Sequence, residues 1–220
     1  MHDPVSDEQL ADALSRIDAA HAEDPRRVPA PGGPDVPYEL HYARRMTRWL
    51  DRLEPRASAA LRLAVRCQHL RRWTIPRSQY PMTRAGYHQW RTALARSHAD
   101  EAGRILRSAG CDDATVARVQ SLVRKEGLKT DPETQTLEDV ACLVFLEDEF
   151  AAFARKHEEE KVLAILGRTW GKMSERGRAA ALGLDLGPAE RALVEKALAA
   201  PAPTTAPSSP GAPPGAPAGP

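Results

Sequence analysis

Aromatic residues make up only 5% of this 220-residue chain, and β-branched residues are sparse, which argues against a β-sandwich or barrel. Cysteine is nearly absent. Cys67, Cys111 and Cys142 lie 44 and 31 positions apart, with no CxxC and no Cys/His pair at zinc-finger spacing. Neither a disulfide framework nor a structural zinc is expected, and the three read as buried thiols of a reduced, cytoplasmic protein. No apolar run approaches the ~18 residues of a membrane span, and no basic segment followed by an apolar one opens the chain. A soluble protein without a membrane partner is the expectation. What is present, 42% hydrophobic and 28% charged residues with abundant Ala, Leu and Arg, suits one core of helices, so the expected fold class is all-α.

Acidic residues are missing from one long stretch. Residues 55 to 99 contain no Asp or Glu but nine arginines, Arg56, Arg62, Arg66, Arg71, Arg72, Arg77, Arg84, Arg91 and Arg96, so a chain of net charge +1 leaves −8 to its remainder. The planar guanidinium fork meets phosphate or carboxylate oxygens two at a time. Trp73, Tyr80, Tyr87 and Trp90 are interleaved with these arginines, and aromatic rings stack on bases. The segment therefore suits a nucleotide, another phosphorylated small molecule or RNA. It also suits docking against the acidic part of the same molecule.

Ser6 followed by Gln9 resembles a capping box, with Leu10, Leu14 and Ile17 at helical spacing behind it, which predicts a first helix over 6–22. The Pro- and Gly-rich stretch 23–36 reads as a loop, Pro37 opens a second helix running to Leu53, and a third is expected over 56–72, apolar almost all round. Residues 73–85 read as an irregular loop. Further helices are expected near 86–109, 112–126, 132–156, 158–173, 175–183 and 188–199, with Ser174 capping the one that begins near Glu175. The whole of 1–199 reads as one all-α domain. Residues 200–220, only Pro, Ala, Gly, Ser and Thr, read as a disordered tail, because they carry nothing to bury.

An ionisable residue on an apolar face must be compensated by a partner or a metal. His69 lies four residues after Val65, His98 four after Leu94, and Asp139 three before Cys142 inside the apolar run VACLVFL. Two imidazoles and a carboxylate from three core helices suit one divalent metal (Mn, Fe, Co, Ni, Zn or Mg), which lowers the pKa of a bound water for attack on phosphorus. Each histidine can equally be a core residue satisfied by one hydrogen bond, and Asp139 can meet free helix amides or pair with Arg72 or Arg91. Glu39 falls on the apolar stripe of the second helix but reads as its N-terminal cap. His41 points away from that stripe, and His2, His21, His88 and His157 read as exposed.

The segments CQHLRRWTIPRSQYP, GYHQWR, LKTDPETQTLEDVACLVFLED and GRTWGKMSERGRAAALGL, in this order, resemble the family known as domain of unknown function 4202 over about residues 6–199. That resemblance implies that these segments share one core or site. More distantly, helical histidines followed by a late aspartate are similar to the HD-type metal-dependent phosphohydrolases, which implies an HD-like multi-helix bundle. His69 matches the histidine of the family's His-Asp pair, His98 one on the following helix, and Asp139 the late aspartate. Leu70 stands where the pair's aspartate would be, so the resemblance leaves either a one-metal site or a metal-free relative of the fold. The expectation is a metal-dependent phosphohydrolase of a nucleotide-like substrate. In it Asp139 is catalytic, His69, His98 and Asp139 hold the metal, Arg72, Arg77 and Arg91 bind phosphate, and Trp73 or Tyr87 stacks on the base. The alternative is a non-catalytic protein binding a phosphorylated ligand or RNA.

Overall fold

The computed structural model describes residues 5–30 and 33–199, so the tail expected over 200–220 lies outside the described residues, as does His2. Ten α-helices and one short hairpin are found among the described residues. In chain order these are α1 (Asp7–Ala22), β1 (Arg27–Ala30), β2 (Gly33–Pro37), α2 (Tyr38–Leu53), α3 (Ala59–Arg66), α4 (Arg84–Ser108), α5 (Asp113–Val123), α6 (Pro132–Val144), α7 (Phe150–Arg155), α8 (Glu159–Lys172), α9 (Glu175–Leu182) and α10 (Pro188–Ala199). The protein is all-α. No helix among the described residues is long and apolar enough to cross a membrane.

Five helix starts are fixed by a short polar side chain that accepts from an amide three residues on: Ser6 for α1, Ser58 for α3, Thr83 for α4, Asp112 for α5 and Ser174 for α9. Gly110, at φ 77°, turns the chain out of α4 in the left-handed conformation that glycine adopts without steric cost.

Two stretches depart from the sequence expectation. The Pro- and Gly-rich loop contains an antiparallel hairpin in which Val28 pairs with Val36 and Arg27 with Pro37. Prolines at the edge of a two-stranded ribbon cost no ladder bond, so their number did not forbid it. The third helix is shorter than its apolar pattern suggests. It ends at Arg66, and His69 and Arg71 both take left-handed backbone (φ 62° and 53°), so residues 67–72 turn rather than continue the helix. Residues 73–85 then contain short 3-10 turns at 72–74 and 77–79.

The chain clusters into two compact units, Met1–Leu137 and Glu138–Pro220, and the division falls inside α6. In the first unit α1, α2 and α3 pack on one another, α5 packs on α3 and α4, and the hairpin lies against α2. Ile17, Met46, Leu50, Leu61, Leu63, Leu70, Leu94, Leu106, Leu122 and Leu137 are among its fully buried large side chains. In the second unit α10 packs on α7 and α8, and Phe150, Leu143 and Val162 are buried. All three cysteines are buried free thiols.

The loop entering α4 is held closely to the helix. Arg77 donates to the carbonyls of Tyr80 (2.9 Å), Pro81 (2.7 Å) and Thr83 (3.3 Å), and a Cβ on Gly86 would meet the Pro81 carbonyl oxygen at 2.1 Å. Backbone has nowhere to yield at that distance. Gly86→Ala is therefore expected to cost about 1–3 kcal/mol and to lower the melting temperature by several degrees in calorimetry.

Candidate functional site

The polar centre of the first unit begins at the end of α1. His21, four residues beyond Ile17, is fully buried rather than exposed as its place near a helix end suggested. Its Nε2 lies 2.9 Å from the Arg66 carbonyl. A carbonyl only accepts, so Nε2 carries the proton and Nδ1 is bare, buried and without a hydrogen bond. Asp24, also fully buried, accepts from the Arg26 amide and guanidinium and, at 3.0 Å, from the Glu39 amide. Asp24 thus caps α2, the role that the sequence suggested for Glu39.

Glu39 is freed for another task. Its side chain is fully buried, Oε1 accepts from Arg26 at 2.6 Å, and Oε2 lies 3.3 Å from His69 Nδ1 without a hydrogen bond between them. The His69 ring stacks on Tyr42 at 4.2 Å and tilts against His98 at 6.1 Å, and His98 Nε2 is likewise buried and unbonded. Glu39 Oε2, His69 Nδ1 and His98 Nε2 are orphaned polar atoms, a condition that costs free energy unless something else completes them. His69 also holds a left-handed backbone that a bulky residue rarely adopts, and such strain concentrates at functional positions.

The arginines divide into two groups. Arg62 pairs with Asp51, Arg66 with Asp18, Arg71 with Glu23 and Glu101, and Arg77 clamps the loop before α4. These are committed to the fold, as the reading of the segment as an internal partner anticipated. Arg72 is buried, its guanidinium 4.8 Å over the Trp90 ring, whose Nε1–H donates to Ile75. Arg91 is half-buried and has no hydrogen bond or ion pair among the described residues. Both charges act on His69 and His98. Tyr87 is half-buried against His88 and Trp90, and Trp73 is half-buried.

Asp139 belongs to the second unit. Its carboxylate accepts the Ser174 amide at 2.8 Å and the Ser174 hydroxyl, and Gly177 lies so close that a Cβ there would stand 2.6 Å from the Asp139 carboxyl carbon. The structure gives this aspartate work at the start of α9. Of the expected site residues it brings together His69, His98, Arg72 and Arg91, and it adds Glu39 and His21. The signal for both additions was in the pattern, since each lies at helical spacing from apolar neighbours, Glu39 from Tyr42 and His21 from Ile17.

The donors present suit a divalent metal by type. They are uncharged imidazoles and one carboxylate. Two donors each ~2.1 Å from one ion in a tetrahedral array stand about 3.4 Å apart, close to the 3.3 Å between Glu39 Oε2 and His69 Nδ1. Among the described residues no three His, Cys, Asp or Glu side chains are grouped to hold a metal ion, so the site offers this pair with His98 beside it.

Burial sets the protonation states. Desolvation holds His69 and His98 well below the usual histidine range, with the Arg72 and Arg91 charges acting in the same direction; it also lowers His21. Desolvation raises the Glu39 carboxyl, against the pull of Arg72 and Arg26. A depressed histidine binds its proton more readily in the unfolded chain, so its contribution to stability is intact above about pH 6.5 and is lost on acidification. The raised Glu39 works in the opposite sense, while His69 and His98 are the groups held well below their ordinary value. The melting temperature is expected to fall as the pH drops below about 6.5, and the double substitution His69→Gln and His98→Gln to flatten that dependence in a pH series of thermal melts.

Among known families, the model described as "Domain of unknown function (DUF4202)" matches residues 11–194. No curated protein and no solved structure matches the chain.

Proposed function

The chain belongs to that family, whose description assigns no activity, and we propose that its buried Glu39, His69 and His98 cluster is the centre of a divalent-metal-dependent phosphohydrolase acting on a nucleotide-like or other phosphorylated small molecule. The observation that carries the reading is the set of three orphaned polar atoms beside a strained histidine and two arginines. His69, His98 and Glu39 would hold the ion, the carboxylate coming from Glu39 rather than from Asp139, whose oxygens already serve Ser174. When bound, such an ion polarises a phosphoryl oxygen and activates water.

The chain's own residues supply the rest. Arg91, with no hydrogen bond or ion pair among the described residues, receives the phosphate oxygens, and Arg72, stacked on Trp90, adds fixed positive charge where negative charge develops. Arg26 on Oε1 fixes the Glu39 carboxylate and leaves Oε2 towards His69. In the reaction water adds to phosphorus, the bond to the leaving oxygen breaks, and the proton released by water ends on that oxygen.

A second reading, non-catalytic binding of a phosphorylated ligand, draws support from the same arginines, because their charge acts on the cluster whether or not an ion is held. One set of measurements separates the two. On the first reading wild type takes up about one Mn, Fe, Co, Ni or Zn ion per chain by elemental analysis and hydrolyses members of a nucleotide panel with added metal; Glu39→Gln and His98→Ala each lose about tenfold or more in metal affinity, and Asp139→Ala keeps the metal but melts earlier. Metal-free wild type that binds nucleotide, with loss in Arg91→Ala and no turnover with any metal including Mg, establishes the second reading. Loss of metal in Asp139→Ala at unchanged melting temperature would return the carboxylate role to Asp139.

A further inference from the structure

The sequence drew attention to the arginines of residues 55–99, but many of these are spent inside the fold. A different basic stripe is left outward. On α2 the residues Leu40, Tyr42, Ala43, Met46, Trp49 and Leu50 are buried. His41, Arg44, Arg45, Arg48 and Arg52 follow one another at steps of three, one, three and four residues, which at 100° per residue places them on one face of the helix. Arg44, Arg48 and Arg52 are exposed.

The acids of α2 itself are committed elsewhere. Of the acidic residues on α2, Glu39 is buried on Arg26, and Asp51 pairs with Arg62. Arg44 and Arg48 have neither a hydrogen bond nor an ion pair among the described residues, and Arg52 lies over the Trp49 ring at 5.0 Å. The charges acting on His41 are those of Arg44, Arg45 and Arg48, all of one sign.

We infer that this face of α2 is a docking surface for the phosphodiester backbone of a nucleic-acid strand. Arg44, Arg48 and Arg52 recur every four residues, about 6 Å apart along a rigid rod, a spacing of the order of that between backbone phosphates. Arginine forks meet phosphate oxygens two at a time. The stripe carries no exposed aromatic ring for stacking, so it reads backbone and not base sequence. A membrane surface fits less well, because an interfacial helix inserts an apolar face and the apolar face of α2 is buried in the core. The inference is independent of the Glu39 cluster and stands whether or not that site binds metal.

The test is fluorescence anisotropy with a short labelled oligouridylate over a range of KCl concentrations. Two triple variants remove equal charge. One is Arg44→Ala, Arg48→Ala and Arg52→Ala; the control is Arg56→Ala, Arg84→Ala and Arg96→Ala, three exposed arginines off the stripe. Wild type is expected to bind at low salt. The α2 triple is expected to lose about tenfold or more in affinity and about 2 from the slope of log K against log salt, as three lost single-strand phosphate contacts require, while the control keeps most of both. The inference is overturned if wild type does not bind, if both triples lose equally, or if the α2 triple binds unchanged. It is also overturned if phosphatidylserine vesicles, and not the oligonucleotide, show the stripe-dependent binding. Circular dichroism of the variants confirms that these surface changes leave the fold in place.

Discussion

A carboxylate removed from water must be met by donors, and in the first unit Asp24 is met by four: the Arg26 amide, two guanidinium nitrogens of Arg26, and the Glu39 amide. This arrangement joins the exit of α1 to the entry of α2. It completes an amide that the first turn of α2 leaves without a helical partner, and through Arg26 it also fixes the Glu39 side chain. The polar cluster depends on it, because the same guanidinium that binds Asp24 holds Glu39 Oε1. His21, at the end of the same helix that leads into Asp24, is held by the Arg66 carbonyl, and Arg66 is held by both oxygens of Asp18.

Charge in this protein follows a division of labour. Arginines at the joints between helices bind carboxylates of α1, α2 and α4 or loop carbonyls, and their contribution lies in orientation more than in net stability, since half-exposed pairs are worth little. Arg118, which binds both Asp131 and Glu133 ahead of and within the first turn of α6, belongs to this group; it holds Asp131 down to about 2. Arg91 beside the histidine cluster, and Arg44 and Arg48 on the outer face of α2, have no hydrogen bond or ion pair among the described residues.

Most of the helical architecture was legible in the sequence because its boundaries are local. Ser6 and Ser174, read as caps from the sequence, each act on an amide three residues away; the caps Ser58 and Thr83 lie within three residues of the helix starts expected at 56 and 86. The end of α3 was not legible, because left-handed backbone at His69 and Arg71 is imposed by packing and contradicts their local preference. The hairpin was hidden by its prolines. At the site, His69 and His98 stood out by periodicity, and their juxtaposition is what the structure shows. Glu39 and His21 carried the same signal but lay near helix ends, where capping and solvation are the commoner roles. For Asp139, burial was read correctly while the hydrogen-bonding partner, Ser174, lay 35 residues away.

At residues Phe145–Glu149 the chain makes a π-helical turn, with the Phe150 amide donating to the Phe145 carbonyl five residues back. In an ordinary helix side chains five apart diverge by about 140°, yet here the Phe145 and Phe150 rings meet edge-on at 6.2 Å, and Phe153 joins Phe145 at 6.0 Å. The wide turn therefore behaves as a one-residue insertion that the helix has absorbed without breaking. Removing any one of those five residues would restore a regular helix but rotate everything after it by about 100°, so that Phe150, now fully buried, would leave its aromatic neighbours. In this segment the fold demands a fixed length more than the identity of any side chain within it.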